Sequence, residues 1–69
     1  MTTTVNVSGM TCEHCTASVT EELTELPGVT SVTVDLHPGE VSPVTIESSR
    51  ELSMQEISEA VTEAGYTVE

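Results

Sequence analysis

Val5 and Val7 alternate with Thr4, Asn6 and Ser8, the period of two that marks a strand with one buried face. Gly9 interrupts the pattern, as expected where a strand turns into a loop. Beyond it the period changes. Cys15, Val19, Leu23 and Leu26 recur at spacings of four, four and three, one stripe of a helix, while Thr20, Glu21, Thr24 and Glu25 fall mostly off it. Pro27 and Gly28 close this helix, because proline disfavours helical geometry in the residue before it and glycine takes the left-handed exit conformation.

Val32, Val34 and Leu36 then alternate with Thr33 and Asp35, His37-Pro38-Gly39-Glu40 supplies a turn, and Val44 and Ile46 alternate with Thr45 and Glu47. These are two further strands. Val41 and Pro43 fall at the start of the third strand, where a missing N–H is tolerated, and the short connection favours an antiparallel hairpin. Leu52, Met54, Ile57, Val61 and Ala64 trace a second helical stripe, with Gln55, Glu56, Glu59 and Glu63 outside it. Ser53 and Glu56 have the spacing of a capping box. Gly65 ends the helix, and Tyr66 and Val68 supply a short last strand.

The order strand, helix, strand, strand, helix, strand predicts an α+β, ferredoxin-like βαββαβ fold, a four-stranded antiparallel sheet with two helices on one face. A chain of 69 residues has room for one domain, residues 1–69, and one core. Domains this short bury only about 60% of their unfolded surface, so a bound metal would be a welcome source of stability.

Composition narrows the function. Tyr66 is the one aromatic residue, so the core is built from Val, Leu, Ile, Met and Ala, and there is no platform on which bases could stack. The formal charge is −11, with Arg50 as the one strong cation, which opposes a phosphate backbone or an anionic membrane surface. Nucleic acid is therefore excluded as a partner. No stretch approaches membrane-spanning length, and no basic and apolar leader follows Met1, so a cytoplasmic protein without direct membrane insertion is expected. The acidic surface serves solubility or docking to a less acidic partner, and sequence does not separate the two.

Gly9-Met10-Thr11-Cys12-Glu13-His14-Cys15 holds the only two cysteines. In a reducing compartment two cysteines three positions apart are a metal site or a redox pair more often than a structural disulfide. Cys12 is placed in the loop after the first strand and Cys15 in the first turn of the helix, where free backbone N–H groups and the helix dipole favour a thiolate. Two exposed thiolates with no obligatory further ligand suit Cu(I), which accepts low coordination. Structural Zn(II) wants four protein ligands, and the other candidates are His14 and His37, the latter expected far from the loop. A small thiol-disulfide protein is the competing use of the same spacing, disfavoured by the short chain and the absence of an aromatic neighbour beside the cysteines.

These residues, with Gly28-Val29-x-x-Val32-x-Val34 and the late Ala64-Gly65-Tyr66, resemble the heavy-metal-associated domain family. It includes bacterial copper chaperones of the CopZ type and amino-terminal domains of copper-transporting P-type ATPases. The resemblance covers essentially the whole chain. It implies Cys12 and Cys15 as the two Cu(I) ligands, Met10 as an apolar anchor beneath the loop, and Tyr66 beside the site where eukaryotic relatives carry lysine. It implies a carrier that hands copper by ligand exchange to the soluble metal-binding domain of a copper-transporting P-type ATPase, by transport and not catalysis. The alternative within the family is the amino-terminal module of such an ATPase. Zn(II) and Hg(II) are alternative thiophilic ions that the same pair can take in vitro. The metal-free form is expected to be a monomer, with a copper-linked homodimer as a further state.

Four residues carry separate expectations. His14, between the cysteines, is either an exposed ring turned to water or a third ligand, which could also bridge two copies. Met54 is expected in the core on its helical stripe, since methionine fills irregular gaps. The glutamates at 21, 22, 25, 56, 59 and 63 are the wet faces of the helices. Arg50 is expected to form a surface ion pair of small worth.

Overall fold

The computed structural model describes all 69 residues. The elements are β1 (Thr2–Ser8), α1 (Glu13–Thr24), β2 (Val29–Val34), β3 (Ser42–Ser48), α2 (Met54–Glu63) and β4 (Thr67–Val68). They follow the predicted order. The strands form one sheet in the order β2-β3-β1-β4 with every pairing antiparallel.

Alternation decides which face of the sheet is covered. Val5 lies opposite Val44 and Val7 opposite Ser42, and all four are buried, as is Ile46. Val19 and Leu23 from α1 and Ile57, Ala60 and Val61 from α2 join them in one hydrophobic cluster. Both helices therefore cover this face. Thr4, Thr45 and Thr33 point to the other, lying side by side on β1, β3 and β2, and they leave that face open and hydroxyl-rich.

α1 ends at Thr24, and the chain leaves through Leu26, Pro27 and Gly28. Gly28 has φ of +88°, a conformation that favours glycine. A Cβ there would also stand 3.0 Å from Arg50 Cγ. That contact belongs to a larger knot. Arg50 grips Glu56 with two guanidinium nitrogens at 2.6 and 3.2 Å, and its Nε donates to the Pro27 carbonyl at 2.6 Å. Glu56 also accepts the Ser53 backbone N–H at 3.0 Å, while Ser53 Oγ accepts the Glu56 N–H at 3.1 Å, completing the capping box. The Arg50 guanidinium holds the Glu56 carboxyl down to about 2, with help from the Ser53 N–H. The surface ion pair expected for Arg50 is present, and it is two-pronged, more specific than a single contact, tying the start of α2 to the exit of α1.

Met54 departs from its expected place, being 56% exposed. It is the first helical residue after the Ser53 cap. Leu52, one position before the cap, turns inward instead and is buried with Ile57. Those two positions are the ends of a hydrophobic staple, which fixes how the chain enters the helix. With Leu52 filling the space under the first turn, Met54 is left outside.

Candidate metal centre

β1 delivers the chain to the loop and α1 receives it. Gly9 has φ of +94°, and a Cβ on it would meet the Tyr66 ring at 3.4 Å. The ring lies against bare backbone there. Met10 is fully buried in the core cluster, so the loop is pinned by an apolar side chain immediately before it surfaces. Cys12 is the N-cap of α1 in extended conformation, and its carbonyl accepts the N–H groups of Cys15 and Thr16 at 3.1 and 3.3 Å. Its side chain makes no capping bond to the helix. Cys15 is the third helical residue, half-buried, while Cys12 is exposed.

The two sulfurs are 3.5 Å apart and both cysteines are free. The Thr11 backbone N–H, the Tyr66 hydroxyl and the Cys12 N–H lie at the Cys15 sulfur and lower its pKa from 9.0 to about 6, against a smaller opposing effect of burial. The same contact raises the Tyr66 phenol, which donates to the thiolate. At neutral pH Cys15 is an ionised, partly sheltered donor.

Of the residues singled out in the sequence, the structure brings Cys12, Cys15 and Tyr66 together over Met10. His14 is exposed on the first turn of α1, and no group of three or more His, Cys, Asp or Glu side chains is placed to hold a metal ion. His37 is at the same end of the molecule as the loop, since Val7 at the end of β1 pairs with Ser42 and the His37 N–H donates to Ser42 Oγ at 2.9 Å. It stays out of the site because its hairpin rises from β2, two strands across from β1, and its ring is paired with Asp35 at 3.1 Å. Sequence reasoning missed Thr11. Its N–H leads the effect on Cys15, and its Oγ1 lies 3.9 Å from the Cys15 sulfur. Its place directly before the first cysteine was the available signal.

Behind the site the two helices flank a groove of about 510 Å³ lined by Glu22, Glu25, Glu56, Glu59 and Glu63, with Leu26 and Ala60. Glu25 leads the carboxylates that raise the Glu22 pKa, with burial and Glu63 contributing. No helix is long and apolar enough to cross a membrane.

Residues 4–67 match the family model described as "Heavy-metal-associated domain". The chain is 41% identical over 64 residues to a copper chaperone, CopZ, of Staphylococcus haemolyticus, covering 93% of this chain and 91% of that one. Among solved structures, a CopZ metallochaperone superposes with a TM-score of 0.85 at 30% identity over the whole of both chains. A copper-binding domain from a P-type ATPase superposes at 0.82 with 28% identity, over 99% of this chain and 89% of that one.

Proposed function

The chain belongs to the heavy-metal-associated domain family, and from that premise we propose that it is a cytoplasmic copper chaperone that carries Cu(I) on Cys12 and Cys15 and passes it to a copper-transporting P-type ATPase. The observation that carries this reading is the thiol pair itself: two free sulfurs 3.5 Å apart at an exposed helix start, with no third side chain placed to complete a cage. Thiolates select Cu(I), and a site of two donors suits an ion that accepts low coordination better than it suits Zn(II), which wants four.

Copper is the cargo, and the residues around it set how it is held and released. Cys15, ionised and held by the Thr11 N–H and the Tyr66 hydroxyl, is the fixed donor. Cys12 is exposed and is the donor an incoming thiolate displaces. A thiolate of the partner attaches to the metal, one sulfur of this chain leaves, and a second substitution completes transfer. The ion keeps its oxidation state in both steps and leaves unchanged with the partner, so the protein acts as a carrier. Met10 keeps the loop seated while its donors change.

A relative 41% identical to this chain is a copper chaperone, and a copper-binding domain of a P-type ATPase shares the fold. Two relatives, 41% and 37% identical to this chain, are both copper chaperones, which favours the carrier over the ATPase module. Anaerobic Cu(I) titration against a competing chelator tests it. One ion retained per chain, lost when Cys12 and Cys15 are both changed to Ser, supports the reading. Retention by the double variant, or turnover of a disulfide substrate without copper retention, overturns it.

A further inference from the structure

The sheet has two edges, and they are built differently. β4 is two residues long and is followed directly by Glu69; a short strand beside a charge is one way to keep an edge from pairing. β2 is six residues long, and its nearest charge, Asp35, lies just past its end. It reads Val-Thr-Ser-Val-Thr-Val over Val29–Val34, β-branched except for Ser31 and without a charge, in a chain of net charge −11. Its one irregularity is a register shift between Val29 and Ser31, which disturbs only the first half of the strand.

Ladder parity shows which of its backbone groups are already used. The Asp35 N–H donates to the Pro43 carbonyl at 2.9 Å, and Thr33 and Ser31 lie opposite Thr45 and Glu47 in the same phase. Hydrogen-bonding residues alternate along an antiparallel pair, so Ser31, Thr33 and Asp35 turn their backbone groups toward β3. Val32 and Val34 present theirs outward, and no turn, loop or cap group bonds to them.

We propose that β2 pairs antiparallel with β2 of a second copy of this chain, about a twofold axis at Thr33. In that register Val32 of each copy faces Val34 of the other, and each pair exchanges both N–H···O bonds. Thr33 meets its own copy on the open face, a favourable cross-strand pair, and Ser31 falls opposite Asp35, hydroxyl to carboxylate. The strand fits itself, and it offers no charge for a charged partner to hold. The product is a continuous eight-stranded sheet with all helices on one side. Because the strands run antiparallel, the two cysteine loops sit at opposite ends of the assembly and both stay open, unlike a dimer joined through copper. Each copy carries the same strong negative charge, so association is weak and is strengthened by salt.

Sedimentation equilibrium on the full chain, reduced and metal-free, tests this at low and high salt. The samples are wild type, Thr33→Lys, Thr33→Asp and an equimolar mixture of the two variants. Thr33 is exposed, so neither change disturbs the core. Wild type should self-associate, more strongly in salt. Each variant alone should weaken association by about tenfold or more, since like charges then face each other across the axis, and the mixture should recover it. A monomer mass for wild type at every concentration and salt overturns the proposal. So does a pattern in which Lys strengthens and Asp weakens association, because that is the signature of net charge alone.

Discussion

The two helices begin with the same spacing and opposite contents. At α2 the N-cap and third residue are Ser53 and Glu56, joined in a reciprocal capping box that Arg50 fastens to Pro27. At α1 the same two positions are Cys12 and Cys15, and the cap side chain makes no bond to the helix. The flanking positions differ in the same sense. Around α2 they are Leu52 and Ile57, both buried; around α1 they are Thr11 and Thr16, neither of them buried. One helix start is closed on itself, satisfying its donors from within. The other leaves its donors and two sulfurs turned outward, with Met10 beneath as the apolar anchor. Rigidity at one end lets the other stay chemically open.

Breaking the closed end should cost the most. Leu52→Ala removes a buried side chain and should destabilise the fold by about 2–4 kcal/mol, read by denaturant unfolding, while Thr11→Ala should cost far less stability. Ser53→Ala, which removes the cap oxygen, should cost about 1 kcal/mol. Cys12→Ser sharpens the comparison by placing a capping hydroxyl where α1 has none. It should stabilise the metal-free protein by up to about 1 kcal/mol while impairing copper retention. If it destabilises the protein instead, the open start of α1 is not a sacrifice of helix stability.

Proton linkage separates the two ends further. The Glu56 pKa is depressed from 4.5 to about 2, so its carboxylate contributes stability that is fully present above pH 4.5 and is lost as pH falls toward 2. Arg50→Gln should flatten that stretch of the stability profile. Cys15 is depressed from 9.0 to about 6. Its contribution to the metal-free fold is complete above pH 9 and lost as pH falls through 6. Thiolate absorbance should follow a midpoint near 6 for Cys15. Tyr66→Phe should move that midpoint upward, and by less than loss of the Thr11 N–H would, because the phenol is the second cause and not the first.

Much of this was legible in the chain. The period-two runs at Val5, Val44 and Ile46, the stripe of Val19 and Leu23 and the Ser53-to-Glu56 spacing are local signals, and local geometry honours them. What escaped reading depends on groups far apart in sequence. Met54 carried the right helical phase, but phase loses its meaning in a first turn whose apolar slot is taken by Leu52. Arg50 was expected in a surface ion pair, but its partners Pro27 and Glu56 meet it only after folding. The end of the molecule that His37 occupies follows from the antiparallel register of β1 and β3, which no spacing shows. Tyr66 reached the site only through the family resemblance, since its contact with Gly9 and Cys15 spans most of the chain.

The most direct test of the open helix start as a copper exchange site is Cu(I) transfer from the loaded chain to the isolated soluble domain of a copper-transporting ATPase, followed anaerobically at neutral pH. Transfer that rises with partner concentration, and that fails when Cys12 and Cys15 are both changed to Ser because that chain cannot be loaded, is the predicted result. A rate independent of the partner, equal to spontaneous copper loss, would contradict direct ligand exchange.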